Sequence, residues 1–249
     1  MTASSPLINA IAGVRHGFGD KSQLMPETLR PWQDTLAIKK QVHGTHIRPV
    51  SMPAEQCGQA DGVLTATPGL LLSVLTADCL PLLFARRDGK RIGALHAGWR
   101  GLLAGIIEEF AGMLSKDDDP ANWVAAIGPA AGPCCYEVSE SLVENFLQGL
   151  PMIPATIVTP AHRRLDLAAI ARFKLNAAGF PAVDDIGHCT ICTLSGTAGA
   201  VNAAGDGATP AGPAFAYTSF RRNSLQRAVD PTYPTISGRN QHAGLVILP

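Results

Sequence analysis

Two apolar runs, each interrupted by residues of a type that can bind metal, restrict the fold of this chain more than any other feature. The first, LLLSVLTADCLPLLFA, starts at Leu70 and is broken by Asp78 and Cys79; the second, RIGALHAGW, is broken at His96. Short apolar runs predict buried strands. A carboxylate, a thiol and an imidazole are costly to bury without partners, so we expect a site where these strands are interrupted.

A third block, KQVHG, adds His43 to the candidate site. Two imidazoles and one thiolate form an ordinary zinc or copper ligand set, and three protein ligands leave a fourth position for water or substrate. The spacing of His43, Cys79 and His96 matches no zinc-finger pattern. From the residues alone, a functional His/Cys/His site and three separately satisfied core residues remain equal alternatives.

The remaining pattern mixes strands and helices without strict βαβ alternation, so we expect an α/β (α+β) fold of mixed sheets flanked by helices. Predicted strands cover 36–49, 60–66, 70–75, 79–85, 91–95, 123–127 and the tail GLVILP, with a hairpin turn at 87–90. Helices are predicted after His96 to Leu114, from Glu137 or Ser139 to Leu150, and over LDLAAIARFKLNAAGF. The Gly/Ala/Pro-rich stretch from Ser195 to Pro213 predicts a mobile loop. Without repeats or a clear linker, we expect a single domain over 1–249.

Composition excludes several classes of function. Basic and acidic residues number 20 each, which argues against a nucleic-acid surface. No window is apolar for the ~18 residues of a membrane helix, and the N-terminus lacks a secretion signal. Six cysteines are few for 249 residues and favour a reduced, cytoplasmic protein. We therefore expect a small-molecule substrate, with no nucleic acid and no membrane as partner.

Four further residues are candidates for catalysis or substrate binding. Asp78 could orient a histidine or accept a proton, or else cap a turn. Arg100, at a strand-to-helix junction rich in small residues, suits a phosphate or carboxylate beside backbone N–H groups. Arg221 in SFRR and Lys40 in KQVHG are the other candidate substrate-binding cations. The alternative for the arginines is an ordinary exposed position.

Four cysteines outside the first candidate site have open roles. Cys134 and Cys135 are adjacent in GPAAGPCCYEV, which predicts a tight loop, and a second metal site there has weak support. Cys189 and Cys192 have redox or zinc spacing, but no second CxxC lies nearby to complete a zinc ribbon. The chain has no GxGxxG, Walker or GxSxG motif, which leaves no reason to expect NAD, ATP or a serine nucleophile.

Taken in order, the blocks KQVHG, ADGVLT, SVLTADCLPLLF, ALHAGWRG, GPCCYEV and SFRR…SGR resemble the laccase-domain family, also called the YfiH-type purine nucleoside phosphorylase or multicopper polyphenol oxidase family. The resemblance runs from about Leu36 to the C-terminus. It implies a metal, usually zinc with copper possible, held by His43, Cys79 and His96. It also implies a fold of mixed sheets flanked by helices, related to a group of cysteine hydrolases.

The activity that the resemblance implies is zinc-dependent chemistry on purine nucleosides: phosphorolysis of adenosine, inosine, guanosine and methylthioadenosine, and adenosine deamination. An alternative is a cysteine hydrolase or amidase with a Cys79–His96 dyad, for example in editing of peptidoglycan precursors. A third is copper-dependent polyphenol oxidation, which needs several copper ions and is disfavoured because the seven histidines are mostly unclustered.

Two departures from the family pattern affect the expected pocket. The segment before KQVHG is shorter than usual, and the stretches Ser195–Pro213 and QRAVDPTYPT are insertions. We expect the shortened segment to remove part of a pocket wall, which affects substrate choice, and the two insertions to reshape the pocket rim. The physiological substrate, the choice between zinc and copper and the oligomeric state do not follow from the sequence.

Overall fold

The computed structural model describes residues 3–114, 116–196 and 214–249. The strands are β1 (Val14–Phe18), β2 (Ile38–Lys40), β3 (Ile47–Pro49), β4 (Gln56–Gln59), β5 (Gly62–Thr65), β6 (Leu71–Thr76), β7 (Leu80–Arg86), β8 (Ile92–Ala97), β9 (Trp123–Ile127), β10 (Ala182–Asp185) and β11 (Gln241–Ile247). The α-helices are α1 (Pro6–Asn9), α2 (Trp99–Ala104), α3 (Ile106–Leu114), α4 (Glu140–Gly149), α5 (Ala155–Val158), α6 (Leu167–Ala177) and α7 (Phe220–Val229), and 3-10 helices cover Glu27–Thr35 and Pro120–Asn122.

The largest sheet is mixed, with the order β10-β9-β7-β8-β5-β3. The outer pairs β10–β9 and β3–β5 are parallel, and the inner pairs are antiparallel. The expected hairpin of β7 and β8 is confirmed, with Leu80 opposite Ala97 and Pro81 opposite His96. This register brings the start of β7, next to Cys79, to the end of β8 that carries His96.

The core lies between three layers: the helices, the six-stranded mixed sheet and the three-stranded antiparallel sheet. Because side chains alternate along a strand, Leu82 and Phe84 of β7 face the helices while Leu83 faces the antiparallel sheet β1-β11-β6. On the helix side, the Phe84 ring lies 4.3 Å from that of Phe110 in α3. The predicted class of mixed sheets with flanking helices is therefore confirmed. A small parallel pair, β2–β4, lies outside these two sheets.

Two predicted elements are divided in the structure. The strand expected over 36–49 breaks into β2 and β3, because the intervening loop holds His43 in a left-handed conformation with φ 62°. The helix expected after His96 is split into α2 and α3 at Gly105, whose φ of 97° only glycine adopts without strain. The first of these helices consequently has only six residues.

The starts of the later helices agree with their capping residues. Ser139 accepts a hydrogen bond from the Leu142 N–H at the start of α4, and Asp166 does so from Ala169 at the start of α6. The stretch Ser195–Pro213, predicted to be a mobile loop, lies outside the described residues apart from its first two positions. None of the helices that the structure describes is both long and apolar enough to cross a bilayer.

Candidate metal centre

The structure brings His43, Cys79 and His96 together, with their ligand atoms all within 4.8 Å of one another. The two imidazole rings meet edge to face, with centroids 4.8 Å apart. Metal bonds of about 2.0–2.3 Å in a tetrahedral site place ligand atoms roughly 3.3–3.8 Å apart, so small side-chain rotations would complete the set. The donor set suits zinc or copper.

His96 is oriented by Asp61, a residue that sequence reasoning missed. Asp61 directly precedes β5 and is fully buried, and its Oδ1 lies 2.8 Å from Nδ1 of His96. A carboxylate at Nδ1 selects the tautomer that carries the proton there, which leaves Nε2 as a lone-pair donor for a metal. No local pattern singles out Asp61, because the preceding residues Cys-Gly-Gln-Ala form no apolar run for it to interrupt.

Asp61 also shapes the loop that carries His43. Its carboxylate accepts hydrogen bonds from the backbone N–H groups of Val42, His43 and Gly44 at 3.2, 2.9 and 2.8 Å. Burial by itself would raise the pKa of Asp61, but the hydrogen bonds from His96, Gly44 and Val42 outweigh it and hold the pKa below its usual value. One ionised carboxylate therefore positions both histidines.

Burial acts in opposite directions on the pKa values of His43 and Cys79. Burial, followed by the nearby His96, lowers the pKa of His43, which keeps its imidazole neutral and able to bind a metal. Burial, followed by the charges of Asp78 and Asp61, raises the pKa of Cys79 to about 12. The protein surroundings alone therefore keep this thiol protonated at neutral pH, whereas a bound cation would favour the thiolate.

Two glycines, Gly98 and Gly101, leave space beside the candidate metal centre. A Cβ atom at Gly98 would lie 3.0 Å from Cδ2 of His43 and 3.1 Å from Sγ of Cys79. One at Gly101 would lie 2.7 Å from the carbonyl oxygen of Gly44. The missing side chains at Gly98 and Gly101 thus let α2 lie close to His43, Cys79 and the loop that carries His43. Such close packing is expected where these residues share one small ion.

Asp78 acts as a structural clamp in this geometry. It adopts a φ of 92°, which is rare for a residue with a side chain. Its carboxylate accepts hydrogen bonds from the Thr190 hydroxyl at 2.6 Å, the Ser219 hydroxyl at 3.0 Å and the Arg221 backbone N–H at 2.6 Å. The histidine-orienting role considered for Asp78 therefore belongs to Asp61, and Asp78 joins the turn after β6 to two distant segments.

The three ligand residues open onto a cavity of about 750 Å³. Its polar and aromatic lining comprises Lys39, Gln41, His43, Ser73, Asp78, Cys79, His96, Trp99, Arg100, Tyr136, Phe220, Arg221, Asn240 and His242. Of the predicted cations, Arg100 and Arg221 line it. Among the described lining residues Lys39 is present and Lys40 is not, because the two alternate along β2 and Lys40 is exposed.

The part of the lining formed by Lys39, Gln41, Ser73 and His242 was not predicted. Gln41 pairs its side-chain amide with the backbone N–H and C=O of Leu75, both at 2.8 Å. Lys39 donates to Gln41 at 3.0 Å, and burial lowers the pKa of Lys39 to about 8. His242 lies 2.9 Å from Ser73 through Nδ1, and burial followed by the charge of Lys39 lowers its pKa to about 4. The sequence did not predict His242 as a lining residue, because no periodic pattern near the end of the chain marks it.

A match to a protein-family model identifies the family of this chain. A family model described as "Multi-copper polyphenol oxidoreductase laccase" matches residues 20–195. The chain belongs to this laccase-like family. The resemblance to YfiH-type proteins is thereby confirmed.

Curated relatives of this laccase-like chain carry one recurring name. "Purine nucleoside phosphorylase YfiH" from Shigella flexneri is 36% identical over 152 residues, 61% of this chain and 62% of the relative. "Purine nucleoside phosphorylase PA4543" from Pseudomonas aeruginosa is 36% identical over 153 residues, 60% of this chain and 62% of the relative. The alignments thus span somewhat less than two thirds of these relatives' length.

Solved crystal structures of other proteins share the fold. Protein NMB0706 from Neisseria meningitidis superposes with a TM-score of 0.73 at 22% identity, covering 100% of this chain and 99% of that one. YlmD from Geobacillus stearothermophilus gives a TM-score of 0.71 at 24% identity, covering 98% and 94%. The link to cysteine hydrolases stays a prediction.

Proposed function

We propose that this protein is a metal-dependent enzyme of purine nucleosides. Its reactions would be phosphorolysis of adenosine, inosine, guanosine and methylthioadenosine, with adenosine deamination at the same centre. The observation that carries the proposal is the convergence of His43, Cys79 and His96 on a 750 Å³ cavity that also holds two guanidinium groups. The names of the curated relatives support the same class of substrate.

His43, Cys79 and His96 would hold the ion, zinc first and copper as the alternative. Such an ion supplies Lewis acidity to an oxygen of the substrate or solvent. Asp61 keeps both histidines in place before the ion arrives, because its carboxylate contacts His96 and the backbone of the His43 loop. The protein therefore meets the ion with a largely preformed site.

Phosphate binding would fall to the arginines. In phosphorolysis a phosphate oxygen forms a bond to C1′ of the ribose, the bond from C1′ to the base breaks, and the base takes up a proton. Arg100 stacks over Trp99 at 4.5 Å, which holds its guanidinium plane while leaving N–H groups for an anion. Arg221 lies over the Tyr136 ring at 5.3 Å, and its Nη1 donates to the Glu137 carbonyl at 2.5 Å.

The rest of the cavity suits a flat heterocycle. Trp99 and Tyr136 offer ring surfaces, and Phe220 is 61% exposed at the cavity although it is apolar. Lys39 and the neutral His242 also line the cavity and provide polar groups to which a base or ribose hydroxyl could bond. A cavity of this volume lies within the usual range of about 300–1,000 Å³ for small-molecule sites.

The decisive test compares two reactions of one nucleoside in the wild type and in Arg100→Ala. Loss of a charge-assisted hydrogen bond of about 1.5–3 kcal/mol weakens phosphate use roughly tenfold to more than a hundredfold. Water-dependent deamination of adenosine should change far less. Arg87→Ala, an exposed arginine in the turn at the other end of the β7–β8 hairpin, is the matched control.

Cys79→Ala supplies the second arm, with Cys57→Ala as its control because Cys57 is a buried thiol in β4. We expect Cys79→Ala to lose the metal of this centre together with turnover, while Cys57→Ala keeps both. Phosphate-independent amide cleavage by metal-free protein would replace the proposal with the cysteine-hydrolase alternative. Oxygen-dependent turnover of phenols alone would replace it with polyphenol oxidation.

A further inference from the structure

A second cluster of metal-ligand residues lies apart from the first. Cys134, Cys135, Cys189 and Cys192 have their sulfur atoms all within 4.8 Å of one another, and Sγ of Cys134 is 3.6 Å from Sγ of Cys192. All four are free thiols. Two chain segments more than fifty residues apart thus place four soft ligands around one point.

The backbone around the cluster holds these segments in register. Ala130 and Cys189 form a parallel bridge, in which the Ala130 N–H donates to the His188 carbonyl at 3.2 Å and the Thr190 N–H donates to the Ala130 carbonyl at 2.9 Å. The Gly132 N–H donates to Sγ of Cys189 at 3.3 Å. These contacts fix the backbone positions from which the cysteine side chains of the two segments extend toward one another.

One backbone donor contacts a sulfur of the cluster. The Gly132 N–H bond to Cys189 suits a thiolate ligand, because hydrogen bonds to an ionised acceptor are stronger than those to a neutral one. The Cys189-x-x-Cys192 spacing is also that of one half of a zinc site.

The distances select the class of metal. Four thiolates bonded at about 2.3 Å to one tetrahedral ion lie roughly 3.8 Å apart, close to the 3.6 Å between Cys134 and Cys192. An iron–sulfur cluster inserts several irons and sulfides between its cysteines and needs a wider cage. Soft, four-coordinate sulfur ligation without an open position is the usual form of a structural zinc site.

We propose that Cys134, Cys135, Cys189 and Cys192 bind one zinc ion in a closed structural site, separate from the His43–Cys79–His96 centre. Binding converts four thiols into four thiolates, so four protons leave and the occupied site carries a net charge of −2. Arg222 is placed to offset this charge. Its guanidinium donates to the carbonyls of Thr190 and Ile191, both at 2.8 Å, within the loop that carries two of the ligands.

The zinc would stabilise one wall of the active cavity. The residue after Cys135 is Tyr136, which lines the cavity, and the residue after Cys189 is Thr190, whose hydroxyl bonds to Asp78 at 2.6 Å. Linking these segments through one ion restricts both sides of the wall at once. The site thereby acts on substrate binding without touching the substrate.

The test uses the full chain with Cys79→Ser, which disables the first centre, and Co²⁺ as the probe. Tetrahedral cobalt thiolate gives a strong charge-transfer band in the near ultraviolet and intense absorption in the red. We expect one cobalt per chain with these bands, bleached by Zn²⁺. Adding Cys134→Ser and Cys192→Ser, both at exposed positions, should abolish the bands, whereas adding Cys57→Ser should not.

Thermal unfolding provides a reading that does not depend on colour. Zn²⁺ should raise the Tm of the Cys79→Ser protein and of its Cys57→Ser derivative, but not that of the derivative lacking Cys134 and Cys192. Absence of thiolate–cobalt bands in fully reduced protein would overturn the proposal. So would a mass two hydrogens lower, with Cys134 joined to Cys192 as a disulfide, in protein prepared without oxidant.

Discussion

Asp61→Asn tests the claim that one carboxylate positions both histidines. The substitution preserves shape but replaces one carboxylate oxygen with an NH₂ group. In Asp61, Oδ1 serves the His43 N–H and His96 Nδ1, while Oδ2 serves the Val42 and Gly44 N–H groups. In either orientation of the introduced amide, its NH₂ group faces two groups that donate hydrogen bonds to a carboxylate oxygen in the wild type.

The magnitude follows from this count. If the NH₂ faces the loop, two hydrogen bonds to a charged acceptor are lost, each worth about 1.5–3 kcal/mol, and buried donors are left opposed. If it faces His96, the imidazole must accept at Nδ1 and carry its proton at Nε2, which cannot then bind a metal. Loss of such an orienting partner lowers metal affinity about 10–100-fold, or about 1.4–2.8 kcal/mol.

The assay is metal affinity by competition with a chromophoric chelator, in a background lacking Cys134 and Cys192 so that one cluster is measured. Thermal unfolding is followed in parallel, where each kcal/mol corresponds to a Tm change of about 2–4 °C for a chain of this size. Asp34→Asn, at an exposed carboxylate, is the control. Asp61→Asn protein with the metal affinity and Tm of this control would refute the reasoning.

The same residue predicts a pH dependence with a definite sign. The pKa of Asp61 is lower in the folded protein, where hydrogen bonds outweigh burial, than its ordinary value. Its contribution to stability is therefore complete above the unfolded pKa of about 3.9 and is lost as the pH falls through the folded pKa. Asp61→Asn should remove this part of the acid dependence of the unfolding free energy.

Two further substitutions follow from the same geometry. Gly98→Ala places a methyl group 3.0–3.1 Å from the side chains of His43 and Cys79 and should lower metal retention at this centre by about tenfold. The control is Gly112→Ala, where nothing lies within 4 Å of the added methyl group; it should retain the metal and stabilise α3 by about 0.5–1 kcal/mol. Metal analysis and Tm measurements check both variants. Lys39→Gln should reduce kcat/KM for nucleosides by about tenfold or more, whereas Lys40→Gln should leave it near wild type, because only the first lines the cavity; equal effects would contradict this placement.

Local patterns in the sequence predicted the parts of the fold that depend on periodicity and capping. The β7–β8 hairpin followed from two apolar runs around an Asp-Gly turn, and α4 begins beside Ser139, one of the two predicted starts. The helix predicted over LDLAAIARFKLNAAGF corresponds to α6. The break at Gly105 was not foreseen, because a glycine inside an apolar helical pattern is compatible with an unbroken helix.

The convergence of the three candidate ligands was predictable from the sequence, but the contacts that support them were not. His43, Cys79 and His96 stood out because each is a polar residue among apolar or small neighbours. The role of Asp61 depends on tertiary contacts across 35 residues to His96, which no local pattern contains. Likewise, Lys39 and Lys40 are adjacent residues of the same type, and only the orientation of β2 decides which side chain reaches the cavity.

The clamp at Asp78 has a consequence for biosynthesis. Its hydrogen-bond partners are 112 residues away at Thr190 and 141 residues away at Ser219, so the turn that presents Cys79 has its native contacts only after the ribosome has released residue 221. Closing such long loops is entropically unfavourable and slow. A nascent chain can therefore build the β7–β8 hairpin early, whereas the pocket beside it is completed only after the segment around residue 221 has been synthesised.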